Sequence, residues 1–209
     1  LDIKWINIDG WKWVKEAALT TIHKNSIKEK DIPSQWKKDI LRSEHSPIRE
    51  LKIRFKIKEL MRWISDQIVR HKMGVEHYVG TMRSDRGNKP REEQTMADLT
   101  DIMQSYNAQS FTNFARTRLC VGCVNKETRE LTKEIVQAVG ELEPEVAFYC
   151  VPSCIYRGAC KEKAFIKCNH FNSFLQSIDS SKREEMMFDI DKRYEAYHNW
   201  RKWGDVNVT

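Results

Sequence analysis

The chain has no run of about 18 uncharged apolar residues, the length a bilayer-crossing helix needs, so no helical membrane span is expected. Its first twenty residues carry Asp2, Lys4, Asp9, Lys12, Lys15 and Glu16 where a secretory leader would need an apolar stretch, which points to a cytoplasmic protein. No internal repeat and no low-complexity tract is present, so the organisation has to be read from hydrophobic periodicity. There is also no glycine-rich dinucleotide fingerprint, which leaves a Rossmann-type route to a bound dinucleotide unsupported.

What is there bounds the fold further. With 209 residues and 40% hydrophobic content the chain can bury one good core, at most with a small appendage. The 36 basic residues exceed the 30 acidic ones by six, a mixed-sign surface with a mild basic excess that favours anionic partners. Phosphate-bearing small molecules satisfy that balance as well as nucleic acid does. Six cysteines in a reducing compartment read as metal ligands, redox groups or buried small hydrophobes rather than a disulfide framework.

Trp11 to His23 has the spacing of a helix, and residues 25–44, polar and carrying Pro33, read as a loop or a short helix. Leu51, Ile53, Phe55 and Ile57 alternate with Lys52, Arg54 and Lys56, the period-2 pattern of a strand with one buried face. Glu59 to His71 then reads as an amphipathic helix that presents Gln67 and Arg70 where a pocket could use them. Gly80 to Pro90 breaks the pattern, and Pro90 is placed to start a helix whose buried stripe is Met96, Leu99, Met103 and Tyr106. Asn107 to Ser110 reads as a turn, after which Phe111, Phe114, Val124, Leu131, Ile135 and Val139 continue helically to Gly140. Pro144 to His170 is cysteine-rich and irregular. Ser181 and Glu184 match a capping box opening a helix through Trp200. Trp200 and Trp203 beside Arg201 and Lys202 have the composition of a base-stacking surface, or of an aromatic face docked on the core or on another subunit.

Three segments, in order, resemble the flavin-dependent thymidylate synthases. His45-Ser46-Pro47 leads into the alternating strand as the Thr-Pro-x-x-His segment of that family does, with Glu50 in place of its histidine. Gln67 and Arg70-His71-Lys72 are similar to the opening of the family signature RHRxxSxNExSxR and the glutamine before it. Asn107-Ala108-Gln109-Ser110-Phe111-Thr112-Asn113-Phe114, ending at Arg118, is similar to the family's Asn-Ala-Arg-Ser-Leu-x-x-Phe and its arginine, and Glu127 to Leu131 follows as the family's Glu-Ile-Arg-x-Leu helix does. The departures are Val75 at the signature's first serine, His77 and Tyr78 near its Asn-Glu, and Thr81-Met82-Arg83 as Ser-x-Arg only after a one-residue insertion. Gln109 stands for an arginine, and the insertion between Arg83 and Arg91 is nearly absent.

The resemblance implies an α+β fold, a small, mostly antiparallel sheet flanked by helices, in a homotetramer with shared active sites. It implies that Gln67, Arg70, Thr81 and Arg83 hold a pyrimidine nucleotide monophosphate, that Arg91 reaches its phosphate from a neighbouring subunit, and that Arg118 lies against the base as the catalytic cation. Guanidinium groups suit this task because their fork matches phosphate oxygens two at a time. Arg70, His71 and Lys72 with Asn107, Gln109 and Asn113 would contact FAD, and Thr20, His45 and Ser46 are further candidates. NADPH would reduce the flavin and methylenetetrahydrofolate would donate the carbon to dUMP. Another pyrimidine nucleotide such as dCMP, methylated or hydroxymethylated for modified DNA, is the alternative. A non-catalytic, metal-stabilised protein that grips nucleotide or nucleic acid is a second. Nucleic acid is not the expected partner.

The cysteines form a separate constellation. Cys120 and Cys123 stand in a C-x-x-C spacing, and Cys154, Cys160 and Cys168 lie in the irregular segment, so four of the five have the composition of a zinc site or an iron–sulfur cluster. The other reading packs them reduced as small hydrophobes. His77, His170 and His198 are given no role. The organisation expected is one domain made of a flavin- and nucleotide-binding core over 1–140, a cysteine-rich segment over 141–170 and an extra helical extension over 171–209.

Overall fold

The computed structural model describes residues 2–24, 32–86, 89–162 and 168–204, with the side chains of 2 and 202–204 left aside. The fold is α+β, as the sequence implied. Four strands form one antiparallel sheet in the order β1-β2-β4-β3, where β1 is Asp2–Asp9, β2 Lys52–Met61, β3 Val75–Val79 and β4 Leu99–Asn107. The helices are α1 (Trp11–Thr20), α2 (Ser34–Ser43), α3 (Arg62–Ile68), α4 (Ala108–Arg118) and α5 (Lys126–Leu142). The short α6 (Pro144–Phe148) and α7 (Ser153–Arg157) precede α8 (His170–Gln176), α9 (Ser180–Phe188) and α10 (Ile190–Gly204).

The strand read from alternation is β2, and it sits in the middle of the sheet. Ile53, Phe55, Ile57 and Leu60 point to the buried face, where Ile102 and Tyr106 of β4 join them. Phe111 and Phe114 of α4 and Leu131, Ile135 and Val139 of α5 belong to the same connected core. Each such side chain contributes roughly 1.5–3 kcal/mol by leaving water. The core reaches Tyr194 and Tyr197 of α10, so the last helix is packed into the same apolar interior.

Several expected boundaries move. Glu59 to Met61 extend β2 instead of opening a helix, because a bulge between Ile57 and Leu60, with Glu59 at φ 55°, restores Leu60 to the buried face. The helix expected after Pro90 is strand β4. Pro90 opens only a turn over Arg91–Glu93, and Met96 and Leu99 are exposed. Thr100, Ile102, Gln104 and Tyr106 are the inward positions, and the polar Gln104 concealed their alternation. The long helix expected to Gly140 is α4 and α5, separated by residues 119–125. Residues 34–43 form a full helix, and 25–31 lie outside the described residues. The capping box at Ser181 gives way to Asp179, whose carboxylate accepts from Ser181 N at 3.0 Å, and the final helix is interrupted at Asp189. No helix among the described residues is long and apolar enough to cross a membrane.

Candidate functional site

The site begins at the joint between β4 and α4. Asn107 ends the strand and caps the helix, its Oδ1 accepting from Ser110 N at 2.8 Å. Ala108 N donates to Leu51 O at 2.9 Å, tying the start of α4 to the start of β2. Against this first turn lies the loop 69–74 that leaves α3. Asn107 N donates to Gly74 O at 3.0 Å, and the Ser110 hydroxyl donates to Met73 O. Gly74 sits at φ +70°, and a Cβ there would stand 2.4 Å from Asn107 Nδ2 and 3.0 Å from Ser110 Cβ. Only glycine permits this approach.

A run of polar contacts orients the loop. Since the Ser110 hydroxyl proton is used on Met73 O, His71 Nε2, 2.9 Å away, donates to Ser110 Oγ. His77 Nε2 stands 2.6 Å from His71 O and must also donate, which leaves His77 Nδ1 to accept from Gln104 Nε2 at 2.5 Å. His77 and Gln104 are cross-strand partners of β3 and β4. The order is therefore Gln104, His77, the His71 carbonyl, the His71 ring, Ser110, Met73, and it fixes the tautomer of both imidazoles. Burial, then the neighbouring Arg118 and His77, lower the His71 pKa, so its ring is neutral near pH 7. It packs at 6.0 Å from Tyr106 and 6.1 Å from Phe114, centroid to centroid.

The far end of α4 carries Arg118, whose guanidinium donates to the backbone carbonyl of Gln67 at the end of α3. Burial and the neighbouring Arg70 lower its pKa, while Tyr106 opposes them. Arginine nevertheless keeps its proton in proteins. Arg118 Nε is buried without a partner, as are the Tyr106 hydroxyl and Gln104 Oε1. Burial raises the Tyr106 phenol, and Gln104 and Arg118 pull it back. Two like charges held close, one with an orphaned buried donor, form an environment that an anion or a carbonyl oxygen would relieve.

The sequence-predicted residues therefore divide. Gln67, Arg70, His71, Asn107 and Arg118 come together around loop 69–74 and α4, and Lys72 is exposed on the same loop. Gln109 is on the first turn of α4, where its Oε1 accepts from Arg49 Nε at 2.6 Å. Asn113 is exposed one turn on, its Oδ1 bonded to Arg116 at 3.2 Å. His45 and Ser46 are exposed beside the turn Ser46–Glu50, which packs on α4 and α1. Thr20 lies at the opposite end of α1 from the Gly10–Glu50 contact, its hydroxyl on Glu16 O at 2.8 Å, and is not joined to the others. Thr81, Arg83 and Arg91 are exposed on the loop after β3. There Arg83 forks onto Asp85 at 2.9 and 2.8 Å, and Arg91 N donates to Ser84 Oγ at 3.1 Å. His77, Gln104 and Arg49 were missed. Only the placement of a glutamine at an inward strand position could have disclosed Gln104, and that needed β4 to be recognised as a strand.

Cys120, Cys123, Cys154, Cys160 and Cys168 line one void of about 20 Å³. Among the described residues no group of three or more His, Cys, Asp or Glu side chains is arranged to hold a metal ion, and residues 163–167, between Cys160 and Cys168, lie outside them. Two arginines hold α7, which carries Cys154, against the core. Arg116, 5% exposed, is 2.6 Å from Glu44 and lies 3.6 Å from the centroid of the Tyr156 ring. Arg193 donates to the carbonyls of Ile155 and Tyr156 at 2.8 and 2.9 Å. Burial and the neighbouring thiols of Cys120 and Cys160 push the Cys154 thiol up to about 12.

No family model and no curated relative matches the chain. Solved structures do. A flavin-dependent thymidylate synthase from Helicobacter pylori, complexed with FAD and dUMP, superposes with a TM-score of 0.60 at 16% identity, over 72% of this chain and 100% of the other. A second structure of the H. pylori enzyme with FAD and dUMP gives 0.55 at 17%, over 71% and 95%. A UMP/dUMP methylase from Streptomyces cacaoi bound with 5-Br dUMP gives 0.50 at 12%, over 69% and 94%. These likenesses establish that the chain has the flavin-dependent thymidylate synthase fold, in a divergent form.

Proposed function

We propose that this chain is a flavin-dependent enzyme that methylates C5 of a pyrimidine deoxynucleotide, dUMP, with methylenetetrahydrofolate as carbon donor and NADPH as reductant. The observation that carries the proposal is Arg118 held on the Gln67 carbonyl on this scaffold, with Arg70 close enough to act on its charge and a buried guanidinium donor left unpaired. A pyrimidine carbonyl or a phosphate is the kind of group that such a pair takes up. Arg118 would lie against the base, where a fixed cation stabilises charge developing on the ring by a few kcal/mol. Gln67 and Arg70 would hold the nucleotide. Thr81, Arg83 and, from a neighbouring subunit of a homotetramer, Arg91 would complete the phosphate contacts. Arg83 must first release Asp85, and an exposed ion pair of that kind is worth at most about 1 kcal/mol.

FAD, when bound, would supply the redox chemistry. The residues available to it fit a flavin diphosphate: Lys72 and Arg49 are exposed cations beside the first turn of α4, together with His71, Asn107, Gln109 and Asn113. Arg49 places a guanidinium beside Gln109, the position where the resemblance leads one to expect arginine. The neutral His71 acts there through hydrogen bonding and stacking, not through charge.

Purified protein incubated with FAD and desalted should be yellow, and dUMP should perturb its flavin spectrum. Arg118→Ala should weaken the dUMP response at least about tenfold, the loss of about 1.4 kcal/mol, while flavin stays bound. A colourless protein would favour a binding protein without chemistry. Unchanged turnover in Arg118→Ala would refute the placement of the base.

A further inference from the structure

A second cavity, of about 630 Å³, opens between the polar face of α5 and the aromatic face of α8 and α10. Its volume is within the roughly 300–1,000 Å³ of small-ligand sites. One wall is cationic: Lys126, Arg129 and Lys133 follow one another along α5 at three- and four-residue spacing, and Arg201 faces them from α10. Glu130 and Glu134 are the carboxylates of the lining, and Glu130 is taken up by Lys133 at 3.0 and 3.1 Å, so the four cations still exceed the two anions. The opposite wall is aromatic, with the rings of His170, Tyr197 and Trp200 mutually packed at centroid distances of 5.1 to 6.0 Å. Arg201, Arg129 and Lys133 all disfavour a charge on His170.

We propose that this cavity is a second binding site, for a nucleotide, with the base against Trp200 and the phosphates against the α5 cations. The two walls ask for both halves of such a ligand. Aromatic stacking without hydrogen-bond readout accepts any base, and phosphate neutralises the excess positive charge. The site shares no residue with the Arg70–Arg118 pair and does not depend on the function proposed above.

Calorimetric titration of the full chain with ADP, adenosine and pyrophosphate tests the assignment. ADP should bind at one site, pyrophosphate about fivefold or more weakly, since it lacks the stacked base, and adenosine more weakly than ADP, since it lacks the phosphates. Lys126 is exposed, so Lys126→Glu should preserve the melting temperature and the dUMP response while weakening ADP about tenfold. Arg118→Ala should leave ADP binding intact, which separates this site from the other. Pyrophosphate binding as tightly as ADP would refute the stacking wall. Indifference to Lys126→Glu, or displacement of ADP by a short single-stranded oligonucleotide that binds more tightly, would overturn the proposal, the latter in favour of a nucleic-acid surface.

Discussion

Acid should destabilise this fold through His170, and the size of the effect follows from its surroundings. The ring is enclosed by Trp200 and Tyr197, and its Nε2 is buried without a hydrogen-bond partner. Burial first, then Arg201, Arg129 and Lys133, push its pKa down to about 4. In the unfolded chain the same ring titrates near about 6.5. The unfolded state therefore takes up the proton first. Stability from this residue is complete above pH 6.5 and is lost as pH falls from there toward 4. Those two values give a loss of about 2 kcal/mol at pH 5, approaching about 3 kcal/mol below pH 4. Against a typical total of about 5–15 kcal/mol this is a large share.

Carboxylates titrate over part of the same range, so the measurement must be differential. Urea denaturation at pH 7.5, 6.5, 5.5 and 5.0 would be run on the chain and on His170→Phe, which keeps an aromatic ring in the stack and cannot protonate. The variant should gain about 2 kcal/mol on the parent between pH 7.5 and pH 5. A phosphate-bearing ligand in the adjoining cavity should narrow the gap, because its charge would favour the imidazolium. Parallel curves would show that the ring is open to water and its cations screened, refuting the reasoning.

Gly74→Ala should cost at least about 2 kcal/mol, from a left-handed alanine and a Cβ driven into Asn107 and Ser110, and should abolish dUMP binding with it; a variant of parental stability would show that loop 69–74 is not clamped to α4. Cys154, its thiol pushed up to about 12, should alkylate with iodoacetamide at pH 8 about a thousandfold more slowly than an ordinary thiol of pKa about 8.5. Rapid alkylation that added zinc suppresses would contradict this and favour the metal reading.

Much of this was legible, and what was not has identifiable causes. β2 could be read because lysine and arginine alternate with Ile53, Phe55 and Ile57, and a half-buried strand leaves that imprint. β4 could not, because Leu99, Met103 and Tyr106 fall at helical spacing while Gln104 occupies an inward position. Period-2 patterning is blind to a buried residue that is polar for a reason. Gln104 is such a residue, turned inward to hold His77. On the candidate site, Arg70, His71 and Arg118 were found by motif, yet their convergence depends on long-range contacts such as Arg118 to Gln67 that no local spacing encodes. The cysteines were legible as a group: their chain positions suggested proximity, and Cys120, Cys123, Cys154, Cys160 and Cys168 do line one void, while Arg116 and Arg193 hold the neighbouring residues Ile155 and Tyr156.

The two halves of the candidate site have diverged unequally, and the contacts say why that matters. At the flavin end the divergence is offset locally: Arg49 brings a guanidinium to Gln109, Lys72 keeps a cation where the signature has arginine, and Asn107, Ser110 and Gly74 hold the loop in place. At the phosphate end nothing comparable is assembled among the described residues of one chain. Arg83 is satisfied by Asp85, Arg91 is held to Ser84 through its backbone, and the loop between them is shortened. A nucleotide bound to a single chain would thus be gripped by its ring, with its phosphate held only after Arg83 changes partners or a second chain supplies Arg91. Affinity for the phosphate should accordingly depend on assembly and on ionic strength, while recognition of the base by the half-buried Arg118, braced on the Gln67 carbonyl, should depend on them less.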